Sequence, residues 1–171
     1  MSNGRFPAVV DDVTVRLIAA VVLVFAVTAL VGQQWWLYAV LGVDFVLRAA
    51  LGPRVSPIAY FVSTLIRPYV AASPRPTPGA PKRFAAGIGA VLTITATALW
   101  VISLVTGWAG VLVAVAAIGV LMVIFPALEA VAGVCVGCQA FAGLMRLGVI
   151  PEEVCLECSD ITRRQRLRSV S

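Results

Sequence analysis

The chain has 171 residues, 61% of them hydrophobic and only 12% charged, with 13 Lys and Arg against 8 Asp and Glu for a net charge of +5. An ordinary soluble domain carries about 25% charged residues and still leaves roughly a third of its unfolded surface in water. This composition therefore excludes a water-soluble globular domain, leaves little mass for a soluble catalytic module, and places the basic residues beside apolar runs, a membrane-orientation pattern rather than a nucleic-acid surface.

Asp11 and Asp12 interrupt the lead-in to the first apolar run, and no small-residue cleavage site follows it, so the first helix reads as retained rather than as a cleaved signal. No charge occurs from 17 to 43, a stretch broken at Gly32-Gln33-Gln34-Trp35-Trp36, where the paired Trp residues fit a headgroup belt. The 45 residues 84–128 carry no charge either, and Gly107-Trp108-Ala109-Gly110 divides them into a hairpin. The spacing predicts an all-α polytopic membrane protein with four transmembrane helices at about 15–31, 36–51, 84–106 and 111–132. Residues 1–134 form the transmembrane domain and 135–171 a cytoplasmic C-terminal segment with four cysteines. Between the second and third helices, 57–67 is apolar but too short to span, which suits a helix lying in the interface. The Pro-rich stretch 73–81 reads as an extended linker without regular structure. Pro126 predicts a kink in the fourth helix, and Thr93, Thr95 and Thr97 with the small residues of the third helix suit helix packing.

Lys and Arg collect before the first helix, between the second and third, and after the fourth, while the two short turns have none. By the positive-inside rule both termini and the central loop are cytoplasmic. The halves also resemble each other. Arg5-Phe6-Pro7-Ala8 precedes the first helix and Arg83-Phe84-Ala85-Ala86 the third; Gly52-Pro53-Arg54 follows the second and Gly133-Val134-Cys135 the fourth. The pattern predicts two repeated helical hairpins, each ending in a short cytoplasmic interfacial helix, related by an axis along the membrane normal.

Three charges fall at membrane depth. Asp44 and Arg48 are spaced i, i+4 on the second helix and suited to pair. Arg48, within a turn of the helix end, is expected to snorkel to the headgroups while neutralising Asp44. The competing expectation is a functional role, with Glu129, at the repeat position of Arg48 on the fourth helix, pairing with Arg48 to link the halves.

The chemistry-bearing residues are four cysteines in two C-x-x-C pairs, Cys135/Cys138 and Cys155/Cys158, with a 16-residue spacer and no His in the chain. The spacing fits a closed four-thiolate zinc site. It also fits a redox dithiol, and less readily buried thiols that stay unmodified: Cys135 and Cys138 fall where an interfacial helix begins, and a helix N-terminus favours a thiolate. Cys135 then acts as nucleophile and Cys138 as its resolving partner. Cys155 and Cys158, after Pro151-Glu152-Glu153, form an exchange pair whose acidic neighbours raise the thiol pKa.

Ser56-Pro57, Arg67-Pro68, Pro81-Lys82-Arg83-Phe84-Ala85 and Cys135-Val136-Gly137-Cys138 resemble motifs of a bacterial integral-membrane family, domain of unknown function 4395, with Lys82 departing from that family's P-P-R-F-A pattern. The resemblance implies a multi-pass protein of the bacterial inner membrane, and thioredoxin-like or sulfurtransferase-like proteins as partners. Three functions stay open: cytoplasmic thiol/disulfide or sulfur handling, a non-enzymatic zinc-stabilised docking surface, and a small transporter using Asp44, Arg48 and Glu129. The chain has no phosphate-binding glycine loop and no His for acid/base work, so hydrolase and nucleotide-dependent readings have no residues to rest on.

Overall fold

The computed structural model describes residues 9–150. In chain order its elements are β1 (Val9–Asp11), α1 (Asp12–Val31), α2 (Leu37–Leu51), α3 (Pro57–Phe61), β2 (Pro76–Pro78), α4 (Gly79–Thr106), α5 (Val111–Ala127) and α6 (Val136–Arg146). A π turn (Val62–Ile66) and a 3-10 turn (Arg67–Tyr69) prolong α3, and a second π turn (Leu128–Ala132) prolongs α5 just after Pro126. Three helices, α1, α4 and α5 with its π turn, are long and apolar enough to cross a membrane. With 15 residues, α2 is about 22 Å long, short of a hydrocarbon core of about 30 Å.

Close packing of α2 on α4 depends on glycine. A Cβ on Gly89 would come within 2.7 Å of the Phe45 ring, and Gly42 faces Thr93, so the two helices approach as small residues allow in a medium that gives no hydrophobic drive for association. The Thr93 hydroxyl donates to the Gly89 and Ala90 carbonyls of its own helix. Tyr38, Leu41, Val22, Val115 and Met122 fill the centre, whereas Val24, Val43, Val91, Val105 and Val113 stand exposed on the outside, an apolar surface suited to lipid.

Charges gather at the end where α1 and α4 begin and α2 and α5 finish. Lys82 Nζ lies 2.6 Å from Glu129 and 3.9 Å from Asp12, and Arg83 donates to the Ala49 carbonyl at 2.7 Å. Arg16 donates to the Ala130 and Val131 carbonyls at 2.9–3.3 Å, satisfying acceptors left over where the π turn ends. The opposite end, at 32–36 and 107–110, carries no charge.

Two expectations are corrected here. The stretch 73–81 is not an unstructured linker: β2 pairs antiparallel with β1, and α4 starts at Gly79. The cause is Asp11. Its carboxylate caps α1 by accepting from Val13 N and Thr14 N, and also accepts from the Thr14 hydroxyl (2.7 Å), Arg75 N (2.8 Å) and Arg67 Nε (2.9 Å). Arg48 neutralises Asp44 as expected, but it does so within the fold rather than by reaching outward. Its side chain is 13% exposed, ion-paired to Asp44 and lying 5.1 Å over the Phe45 ring. Asp44, 2% exposed, also accepts from the Ser56 hydroxyl at 2.5 Å and Ile58 N at 2.9 Å, and Ser56 caps α3 by accepting from Ala59 N. The carboxylate therefore ties α3 to α2.

Asp44→Ala strands the buried guanidinium and uncaps α3. It is expected to cost about 3–5 kcal/mol in denaturant unfolding in micelles, where a cost under about 1 kcal/mol would show that the carboxylate does not hold α3. Burial opposes the Asp11 charge, but the bonds from Thr14, Arg75 and Arg67 outweigh it and pull its pKa to about 2. The folded value lies below the ordinary one of about 3.9. Its contribution is thus present above about pH 4 and lost as the pH falls towards 2. Unfolding of Asp11→Asn followed by Trp fluorescence should show a smaller loss of stability between pH 5 and pH 2 than the parent protein.

Candidate functional site

The chain leaves the α5 π turn through Gly133, whose φ of 67° lies in the left-handed region and ends the helix. Two residues later Cys135 occupies the N-cap of α6, in extended backbone, and its sulfur accepts from Cys138 N at 3.3 Å. A capping position usually held by Ser, Asp or Asn is here held by a thiol, so the unpaired N–H groups and dipole of the first turn bear on a sulfur. Both cysteines are free. Hydrogen bonding from Cys138 lowers the Cys135 thiol pKa, against burial, which raises it; the Glu129 charge raises it and the Lys82 charge lowers it. The side-chain hydrogen bond between the two thiols, with burial, pushes the Cys138 thiol up. Cys135 is 8% exposed and Cys138 half-buried, so the thiol disposed to ionise is the more enclosed one.

Gly137 sets the position of this turn. A Cβ there would lie 2.5 Å from Ala85 Cβ and 2.7 Å from Ala85 Cα, so only glycine lets α6 lie on α4. Phe84 packs on Phe141 of α6 with ring centroids 5.6 Å apart and the planes tilted by 58°. Lys82, Arg83, Phe84 and Ala85 thus each have a separate duty: the Glu129 and Asp12 carboxylates, the end of α2, the α6 aromatic, and the glycine of C-x-G-C. Sequence reasoning had Lys82 as one of the basic residues between the second and third helices and as a departure from a motif. Its signal was a cation one residue before an Arg-Phe-Ala run, at the start of an apolar helix.

The sequence-expected pairing of Arg48 with Glu129 is corrected. Glu129 pairs with Lys82 at 2.6 Å and Arg48 with Asp44, because Lys82 enters from α4 between the two halves while Asp44 sits one turn from Arg48 on its own helix. Arg48, Lys82, Glu129 and Cys135 do line one cavity of about 630 Å³, which opens beneath the α6 N-terminus. Cys155 and Cys158 lie outside the described residues. Among the described residues no group of three metal-ligating side chains occurs.

The family model described as Domain of unknown function (DUF4395) matches residues 10–146. The chain belongs to that family. The match runs from the residue before Asp11 to the last residue of α6, so the whole α4–α6 contact is inside the DUF4395 region. No curated protein and no solved structure matches the chain.

Gly137→Ala is expected to destabilise by about 1–3 kcal/mol through overpacking against Ala85 and to raise the rate of Cys135 alkylation as α6 lifts. Adding Ala85→Gly should recover most of both, read by iodoacetamide labelling and mass spectrometry. Failure of the double variant to recover the labelling rate would mean that the glycine serves the turn and not the helix contact.

Proposed function

We propose that this DUF4395 protein is a four-span membrane protein of thiol/disulfide handling, whose dithiol Cys135/Cys138 works at the cytoplasmic membrane surface with Cys135 as nucleophile and Cys138 as resolving partner. The observation that carries the reading is the Cys135 sulfur standing as N-cap of α6 with the Cys138 N–H on it at 3.3 Å. Lys82 adds a positive charge that favours the Cys135 thiolate.

Four spans follow if α2 crosses with the turn before it. Arg83 on Ala49 sets the end of α2 level with the start of α4, and Tyr38, near its beginning, reaches Gly119 in the middle of α5. The basic end is the cytoplasmic one. The repeat is supported by parallel construction: α2 and α5 each end at a positive-φ glycine, Gly52 or Gly133, and each is followed by a short helix capped by its own side chain, Ser56 or Cys135. The caps stand two positions apart in the sequence alignment of the halves. Residues 135–171 are the thiol-bearing segment, in which Cys155 and Cys158 exchange with the first pair, and a thioredoxin-like or sulfurtransferase-like protein is the soluble partner. Transport is disfavoured because Asp44 is engaged on three sides in holding α3.

The test is a thiol and zinc count on freshly purified protein, followed by redox titration against dithiothreitol. A reversible Cys135–Cys138 disulfide that disappears in Cys135→Ser is the expected result. One zinc per chain, resistant to mild oxidation and lost equally in all four Cys→Ser variants, would replace the reading with a structural site. The pH profile of Cys135 alkylation should turn below the ordinary thiol range of about 8.5, and Cys138→Ala should move the turning point upward by removing the side-chain hydrogen bond to the thiolate.

A further inference from the structure

Exchange with a soluble thiol does not use the cavity beneath Cys135. The charged end of that cavity is lined by Cys135 with the cations Lys82, Arg48 and Arg54 and the carboxylates Asp11 and Glu129, and deeper along α4 the wall is apolar, formed by Val22, Leu92 and Met122. Cys138 is not part of the wall. From Lys82 to Leu92 the cavity follows α4 for ten residues, about 15 Å, or half the depth of a hydrocarbon core. Its volume of about 630 Å³ is that of a site for one small organic ligand. One polar group in the wall is unanswered: Arg48 Nε is buried with no hydrogen-bond partner among the described residues.

An occupant must present acceptor oxygens to these cations, extend an apolar body along α4, and face a thiol that can form a disulfide. A lipid or fatty acid satisfies the first two conditions and leaves the thiol idle. We propose that the cavity takes a membrane-soluble para-quinone and that the Cys135/Cys138 dithiol reduces it. This rests on the redox reading of the pair. The Cys135 sulfur adds to the quinone ring, and Cys138 then attacks that sulfur, forming the S–S bond and releasing the reduced ring. Two S–H bonds are lost and two O–H bonds gained, so two electrons and two protons pass from dithiol to quinone. Lys82 and Arg48 stabilise the negative oxygen before it is protonated, in surroundings of low dielectric where such charges count for more. A soluble dithiol then restores the pair by attacking the less enclosed Cys138 sulfur and expelling Cys135, whose position at the helix N-terminus makes it the better leaving group.

The protein, reduced and reconstituted in lipid nanodiscs, is mixed with decylubiquinone, whose fully substituted ring has no hydrogen to lose, so that a thiol adduct stays reversible and does not become a stable thioether. The expected result is one quinol per Cys135–Cys138 disulfide, with saturation in quinone and at least a tenfold loss in Leu92→Trp, which fills the apolar wall. Because that variant also enlarges a side chain within the bundle, an azido-quinone is applied to the unaltered protein as well, and labelling of peptides carrying Leu92 or Met122 is expected. A pair that cycles with dithiothreitol yet neither reduces the quinone nor directs its label overturns this inference and leaves the thiol reading standing. A pair that no oxidant closes overturns both.

Discussion

The contact between Ala85 and Gly137 is the constraint on which the site depends. It brings the backbone of α6 against α4, and with it the N-cap sulfur of Cys135 over the cavity and within the field of Lys82 and Glu129. A side chain on either partner larger than the one present would separate the helices, since the nearest atoms include the α4 backbone itself. The two family motifs, fifty residues apart, are therefore two faces of one joint. Phe84 on Phe141 broadens it, and Arg83 ties the same turn of α4 to the end of α2.

Charge inside the bundle is used for two unlike purposes. An ionisable group at membrane depth is by default a sign of function, yet Asp44 accepts three hydrogen bonds that are all architectural, from Arg48, Ser56 and Ile58. Lys82 and Glu129, which sequence reasoning divided between a motif and a misassigned pair, lie instead beside the thiols. What separates the two cases is the neighbour and not the depth. Asp44 looks toward a cap and has its valences filled, whereas the Lys82–Glu129 pair borders open volume.

Helix existence was legible because a run of 45 uncharged residues has one physical explanation, and turn composition located its break. The start of α4 was misread by five residues because Pro81, Lys82 and Arg83 look like loop chemistry. Proline is tolerated in the first turn of a helix, and there the two cations find Glu129 and the Ala49 carbonyl. The β1–β2 ladder was invisible since two of its six residues are prolines, and what makes it is a carboxylate, Asp11, reaching across the chain. The C-x-x-C pair was found by spacing alone, but which thiol is enclosed was not, because that follows from packing of Gly137 on a distant helix.

The short ladder has a further consequence. It pins the first residues of α1 and α4 to each other, so that the intervening backbone, with α2 and α3, is a loop tied at one knot. A helix in a bilayer of the wrong thickness relieves the mismatch by tilting on its own. Here α1 cannot tilt at its base without drawing α4, and α4 carries α6. In a membrane, the level of the thiols relative to the bilayer would then be a property of the lipid as well as of the protein, and a thicker or thinner membrane would move the sulfur.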